Sequence, residues 1–253
     1  MTSSLSGRTA LVTGAGSGMG QSHCKLLAER GADIIVCDLD PISAETTAKI
    51  VRSLDRRCQV IVRDVSHIRA LQHDISAAAS DMGGIDILVN NAGIGGKGLL
   101  IEQITEEIYD LMYDVHVKGA FFATQAVLPF MKAKRYGKII NISSNFAMGG
   151  VGFASHYASA KSALSGLVKS WARELAPFNI MVNAVAPGLL DTGLTRDSLG
   201  IERIRKMTTE VPLGRLADPI EISYAVAWLA SNETDFMTGQ VLAPNGGVTI
   251  VGI

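Results

Sequence analysis

TALVTGAGSGMG, residues 9 to 20, decides the fold. Thr9 to Thr13 is a short β-rich run, four glycines follow within the next seven residues, and a segment with helical periodicity through Leu26, Leu27 and Arg30 comes after them. A strand, a glycine turn and a helix start bring free backbone amides and the positive end of a helix dipole to one point, which suits an anion. Gly14, Gly16, Gly18 and Gly20 let the backbone come close to a pyrophosphate, with Ser17 and Met19 in the same turn. The spacing is TGxxxGxG and not GxGxxG, so a plain dinucleotide-binding fingerprint misses it. The alternative is a Gly-rich connector that binds nothing.

The strand and helix alternation continues outward from this turn. Apolar runs at residues 33 to 37, 59 to 63, 85 to 90, 138 to 142, 180 to 186 and 240 to 243 read as strands. Helical patterns at 42 to 54, 68 to 82, 105 to 134, 154 to 176 and 219 to 230 separate most of them. Near-continuous apolar strands alternating with helices give an α/β chain with a doubly wound parallel sheet covered on both faces. Right-handed crossovers then put the carboxyl ends of all strands on one edge, where ligands bind. Gly119 inside the long pattern at 105 to 134 marks a close contact or a bend.

With 253 residues, 47% of them hydrophobic, the chain is expected to form a single domain over 1–253, since no linker, charge run or repeat marks a boundary. A net charge of -1 gives no electrostatic footprint for nucleic acid or an anionic membrane, so a small-molecule partner is expected. MTSSLSGR lacks the features of a signal peptide and no apolar run reaches spanning length, so a soluble cytoplasmic protein is expected. Cys24, Cys37 and Cys58 show neither CxxC nor zinc spacing and read as buried free thiols. His23, His67 and His73 show no metal spacing and read as surface or helix-end residues, so no metal is expected.

Several positions on the ligand edge suit a dinucleotide. Asp38 stands at a strand end eighteen residues after Gly20, where a carboxylate accepts from both adenosine ribose hydroxyls and repels a 2'-phosphate. Ser17 and Leu39 are uncharged where a 2'-phosphate would want a cation, so NAD is favoured over NADP. Asp40, ahead of Pro41, reads as a cap or turn residue. Asp64, followed by Val65, either touches adenine or caps the next helix. Asn91, Ala92 and Gly93 fall on the same edge; Asn90 serves the ligand edge or ties strands together. Pro187, Gly188 and Leu190 follow a strand, and the hydroxyl of Thr192 is placed to hold a carboxamide. Residues 189 to 211 have little regular pattern, and the stretch from 189 to about 215 suits a mobile lid.

NISSNFAMGGVGFASHYASAK, residues 141 to 161, carries the chemistry. Tyr157 and Lys161 are four apart and share a helix face, so the ammonium is expected beside the phenol. A cation there favours phenolate and lowers the tyrosine pKa from ~10 toward working pH. Ser144 sits at the end of an apolar strand, where its hydroxyl can face the phenol. Asn145, Phe146, Met148, Leu189 and Leu190 are expected to line a pocket for an uncharged apolar alcohol, with Arg196, Arg203 and Arg205 as exposed charges or as contacts to an acid. His156 reads as helix surface or pocket rim, and the small-residue helix carrying Tyr157 is also a candidate subunit interface.

TGAGSGMG at 13 to 20, Asp38, Asp64, NNAG at 90 to 93, Ser144, YASAK at 157 to 161 and PGLLDT at 187 to 192 stand together in order and spacing. On these motifs the chain resembles the short-chain dehydrogenase/reductase family, in its single-domain, NAD-preferring branch, over nearly its whole length. The resemblance implies a Rossmann-like sheet of about seven strands with helices on both faces. It also implies a homotetramer joined through the two long central helices and the C-terminal segment. Ser144 would hold the substrate oxygen, Tyr157 would exchange its proton, and Lys161 would bind the nicotinamide ribose and lower the tyrosine pKa. His116 stands where that family has an Asn that supports a water-linked proton path to the lysine. It either fills the Asn's structural place, joins the relay as a catalytic group titrating near ~6.5, or marks a damaged relay. Asn245 stands where Asp is usual and is expected to affect a local turn or interface.

The expected function is therefore NAD-dependent interconversion of a secondary alcohol and a ketone. The alternatives are an NADPH-linked 3-oxoacyl thioester reductase and a dinucleotide-binding regulatory protein with weakened catalysis.

Overall fold

The computed structural model describes residues 4–251. Strands β1 (Thr9–Thr13), β2 (Asp33–Asp38), β3 (Cys58–Val62), β4 (Ile87–Asn90), β5 (Gly137–Ile142), β6 (Ile180–Val185) and β7 (Val241–Leu242) form one sheet in the order β3-β2-β1-β4-β5-β6-β7. Every pairing is parallel, and Leu11 at the centre of β1 lies opposite Ile35 of β2 and Leu88 of β4. The chain winds outward in both directions from β1 and β4, so the order reverses between them. That reversal opens a crevice at their carboxyl ends.

Ten α-helices lie among the described residues: α1 (Gly18–Glu29), α2 (Pro41–Arg52), α3 (Ile68–Met82), α4 (Glu106–Tyr113), α5 (Gly119–Lys134), α6 (Phe146–Gly149), α7 (Ser155–Leu175), α8 (Gly193–Leu199), α9 (Ile201–Glu210) and α10 (Pro219–Leu229). Successive strand residues point to opposite faces, and the core divides accordingly. Ala10, Val12, Ile34, Val36 and Val89 pack against Leu27 of α1, Val51 of α2 and Val226 of α10. Leu11, Ile35, Leu88, Ile139 and Val182 pack against Ile75 of α3, Val127 of α5 and Trp171 of α7. Both faces are thus buried, which is why the strands lack a polar alternation.

The pattern at 105 to 134 resolves into α4, a π-helical turn at Asp114–Lys118, and α5. Of the two readings for Gly119 the close contact holds: it follows the π turn, and a Cβ there would lie 2.9 Å from Val65 Cγ2. Asp40 caps α2 by accepting from the amides of Ile42 (3.2 Å) and Ser43 (3.1 Å).

Three expectations need correction. Residues 189 to 211, read as irregular, contain α8 and α9; neither helix has a fully buried residue, and in α9 Ile201, Ile204 and Met207 recur at helical spacing over too few turns to stand out. His23 is not at the surface but fully buried, with Nδ1 2.7 Å from Ser223 Oγ, tying α1 to α10. Burial drives its pKa down to about 3, so it stays neutral. His156 is buried as well, at 2% exposure, because it sits on the inner face of α7. His67 stands just before α3, and His73 is exposed, as read. Cys24 and Cys37 are buried free thiols and Cys58 is half-buried; burial pushes Cys37 up to about 12 and Cys58 to about 11. Among the described residues, no helix is long and apolar enough to cross a membrane, and no cluster of three His, Cys, Asp or Glu could hold a metal.

Candidate active site

The glycine turn is packed from three sides. Gly14 (φ +61°) approaches β4 so closely that a Cβ would lie 2.7 Å from Ala92 Cα. A Cβ on Gly20 would run into the Gly14 carbonyl, and one on Gly16 would lie 2.9 Å from the Asp38 carboxyl. Gly18 (φ +52°) differs: only the side chain of Thr192 comes near, at 3.7 Å, so the first turn of α1 faces open space with its amides free. Ser17 precedes that turn in extended conformation (φ -150°). Its hydroxyl caps nothing there, and Met19 lines the adjoining cavity.

Asp38 closes β2 with Oδ2 accepting from the Gly16 amide at 2.7 Å and Oδ1 from the Asp40 amide at 3.0 Å. Leu39 beside it is 66% exposed. The nearby Arg63 is held away by Asp74, Nε to Oδ2 2.7 Å. Asp64 accepts at Oδ1 from the amide and hydroxyl of Ser66 (2.8 and 2.7 Å), which makes it a turn residue ahead of α3. The side chain of Val65 is buried against Gly119, away from the cavity.

Asn90 donates to Thr124 Oγ1 (3.0 Å) and Asn141 Oδ1 (2.9 Å), joining β4 to α5 and β5. Asn91 donates to the carbonyls of Thr13 (3.0 Å) and Gly14 (2.9 Å), and the Ala92 amide donates to Thr13 Oγ1 (3.1 Å). These two therefore brace the glycine turn. On the opposite wall the Asn145 amide donates to Pro187 O (2.9 Å) and the Gly188 amide to Pro244 O (3.1 Å). A Cβ on Gly188 would lie 2.7 Å from Asn245 Cα. Asn245 organises a local turn, accepting from the Gly247 amide (2.9 Å) and donating to Thr249 O (2.7 Å). Thr192 caps α8 by accepting from the Thr195 amide at 3.2 Å.

Ser144 leaves the end of β5 and Tyr157 stands on the first turns of α7, and both line one cavity of about 110 Å³ with Met19, Gly188 and Thr192. Lys161 lies beneath, its Nζ donating to Ile142 O at 2.8 Å and 5.8 Å from the centre of the Tyr157 ring. The electrostatics differ from the sequence expectation. Burial pushes the Tyr157 pKa up, opposed by the Ser144 hydroxyl, and burial brings Lys161 down to about 7. The ammonium reaches past the phenol to a strand carbonyl, so desolvation outweighs any attraction to phenolate.

His116 is 2% exposed in the π turn. Its Nε2 lies 3.1 Å from the Ile94 amide and 2.9 Å from the Ile94 carbonyl, and its ring meets that of Tyr157 edge-on at 5.4 Å. Burial and then Lys161 hold its pKa well below the usual histidine value, so the ring is neutral, against the relay reading's titration near ~6.5. This geometry favours the structural reading, in which a ring nitrogen pins the loop after Gly93; a Cβ on Gly93 would lie 2.5 Å from His116 Cε1. His116→Asn is therefore expected to leave the shape of the pH–rate profile between pH ~5.5 and ~8 unchanged. Loss of an inflection in that window would show that the ring titrates during turnover.

Asn145, Phe146, Leu189 and Leu190 line the cavity as expected, but Met148 does not. Two residues along one helical turn point to nearly opposite sides, so Phe146 of α6 turns inward and Met148 away. Leu194, Ser198 and Leu199 of the expected lid also line it, and Gly95, Gly96, Gly98 and Phe153 join them without having been anticipated. The glycine cluster in IGGKG at 94 to 98 was the available signal. Arg196 pairs with Asp191 (3.1 Å) and Arg205 with Glu202 (3.3 Å), both exposed.

A family model described as Enoyl-(Acyl carrier protein) reductase matches residues 14–249. The 3-oxoacyl-[acyl-carrier-protein] reductase of Thermotoga maritima is 36% identical over 246 residues, covering 97% of this chain and 99% of the relative. The protein of the same name from Vibrio cholerae is 39% identical over 247 residues, covering 98% and 99%. The structure of carveol dehydrogenase from Mycobacterium avium in complex with NAD superposes with a TM-score of 0.92 at 30% identity, covering 98% of this chain and 99% of that one. The chain belongs to the short-chain dehydrogenase/reductase family and is an oxidoreductase of that family.

Proposed function

We propose that the protein is an NAD-dependent oxidoreductase that interconverts a secondary alcohol and a ketone. The observation that carries this reading is that Ser144 and Tyr157 line the same cavity as Met19, Gly188 and Thr192, so the hydroxyl pair and the glycine-turn side face one space. Gly18 with its open amides would hold the pyrophosphate, Asp38 the adenosine ribose, Lys161 the nicotinamide ribose and Thr192 the carboxamide. The free amides, the bare glycine and the carboxylate at the end of β2 fit a dinucleotide, and bound NAD would supply or accept the hydride. Ser144 donates to the substrate oxygen and orients it. Tyr157 gives that oxygen its proton in reduction and takes it back in oxidation. Residues 189 to 215, through α8 and α9, act as the lid, within a single domain over 1–253. Ser155, Ser159, Ser162 and Gly166 give α7 an exposed small-residue stripe that would seat a second copy in a homotetramer.

The Asp38 carboxylate is expected to make NAD preferred over NADP by at least roughly 100-fold in kcat/KM, the effect of a few kcal/mol of repulsion toward a 2'-phosphate. Asp38→Ser with Leu39→Arg should reverse that preference. Steady-state rates with both cofactors check this, and a native preference for NADPH would remove the reading of Asp38. The second reading, an NADPH-linked 3-oxoacyl thioester reductase, is supported by the names of the Thermotoga and Vibrio relatives.

A further inference from the structure

The far end of the cavity, away from the glycine turn, is fastened by one exposed side chain. Lys97 and Gly98 both adopt left-handed backbone (φ 51° and 62°), a sharp turn in the loop that meets α9. There Arg203 Nη1 donates to Gly98 O at 3.3 Å. The same guanidinium lies over the Phe153 ring, Cζ 4.6 Å from its centre. Phe153 meets Phe146 edge-on at 5.9 Å, and Phe146 meets Tyr157 at 6.4 Å. Arg203 thus joins α9, the glycine loop and the aromatic wall that leads to the reacting phenol. A Cβ on Gly98 would run into this guanidinium, and one on Gly95 into Ser198 of α8, so both helices need bare backbone to close this far.

Inside the closure, no lining side chain carries a charge. Phe146, Phe153, Leu194 and Leu199 supply an apolar surface, and the Arg203 head group, itself outside the lining, is held on the Gly98 carbonyl and the Phe153 ring. The cleft is open at its mouth and its inner space is small, about 110 Å³.

We propose that the substrate is a compact, uncharged ketone or secondary alcohol with an apolar body of about one ring, and that Arg203 sets the upper limit on its length. The inference rests on the oxidoreductase reading above. A carboxylate or phosphate seated here would lose its water and meet no cation in the lining unless Arg203 left Gly98 and Phe153, and burial of an unpaired charge is strongly disfavoured. An extended acyl chain would have to displace the clamp between α9 and Gly98.

The test measures kcat/KM of the full-length protein with both NADH and NADPH on three carbonyl compounds. These are cyclohexanone, a cyclohexanone carboxylate of the same ring size, and a straight-chain oxoacyl thioester. Cyclohexanone is expected to exceed both others by at least roughly 100-fold. Arg203→Ala should shift the ratio toward the thioester by roughly 10-fold or more, and Arg203→Lys by less, since lysine keeps a cation on a long stem although it lacks the planar face that covers Phe153. If Arg203→Ala does not fold, as read from thermal melting, Phe153→Leu gives the same readout by removing the ring. Equal or better turnover of the carboxylate or the thioester by the native protein would overturn the proposal, as would an Arg203 substitution that scales all three rates alike. The same ranking with NADPH alone would leave the proposal standing and remove only the NAD assignment. No turnover of any of the three with either cofactor would overturn both.

Discussion

Tyr157→Phe is expected to lower kcat by roughly 1,000-fold or more, at the upper end of what a positioned proton donor contributes. The phenol is the one acidic group that lines the cavity beside Ser144. Its ring is packed independently of its hydroxyl, with His116 edge-on at 5.4 Å and Phe146 at 6.4 Å, and the phenylalanine keeps both contacts. Binding of NADH, followed by its fluorescence, should therefore change by less than about 3-fold, and the melting temperature should move little. Burial holds the Tyr157 pKa above its usual value in the ligand-free protein. The resting group is consequently the neutral phenol, which gives a proton directly in reduction and must lose one before oxidation. Oxidation should accordingly fall off toward acid more steeply than reduction does. A Phe variant that keeps more than about a tenth of the native kcat would show that another group or a water supplies the proton.

The strands were legible because a parallel sheet buried on both faces leaves unbroken apolar runs such as DIIVC and KIINI, and the glycine turn because its spacing serves backbone contact. α8 and α9 were not, since both are short, Gly200 separates them, and the stripe of Ile201, Ile204 and Met207 in α9 spans too few turns to stand out. His23 and His156 were misplaced for a related reason: one histidine on an amphipathic helix carries no mark of which side it faces, and only the Ser223 hydroxyl 200 residues away shows why His23 is inside. The i, i+4 spacing correctly put Lys161 near Tyr157. It could not show that the lysine chain extends to Ile142 O, nor that desolvation would dominate both pKa values. Met148 failed on a matter of degrees, because two residues along a helix are roughly half a turn apart, which points it away from the side that Phe146 faces.

Lys161→Met should do two opposite things: lower activity by roughly 100-fold or more and raise the melting temperature at pH ~6. In the ligand-free protein the ammonium is buried with one hydrogen bond, to Ile142 O at 2.8 Å, and burial brings its pKa from 10.5 down to about 7. That drop is a penalty on the charged form of at most about 5 kcal/mol. Because the folded pKa lies below the unfolded one, the unfolded chain holds more protons between pH ~7 and ~10.5, and this group makes stability rise with pH across that window. Below about pH 7 both states are protonated and the native protein carries the full penalty, which methionine removes at the cost of about one unmade hydrogen bond. The advantage of the Met variant should thus be greatest near pH ~6 and shrink by several degrees toward pH ~9, as the native lysine sheds its proton in the folded state. Tyr157 adds an opposing slope only above pH ~10, where the unfolded phenol ionises first. Melting curves of the two proteins across this range decide the matter: a variant less stable than native at pH ~6, or a gap that widens with pH, would mean that Lys161 is solvated or paired in the folded state. If the gap behaves as expected, the fold keeps a charge it would be more stable without, held under the phenol at the position where a nicotinamide ribose would sit.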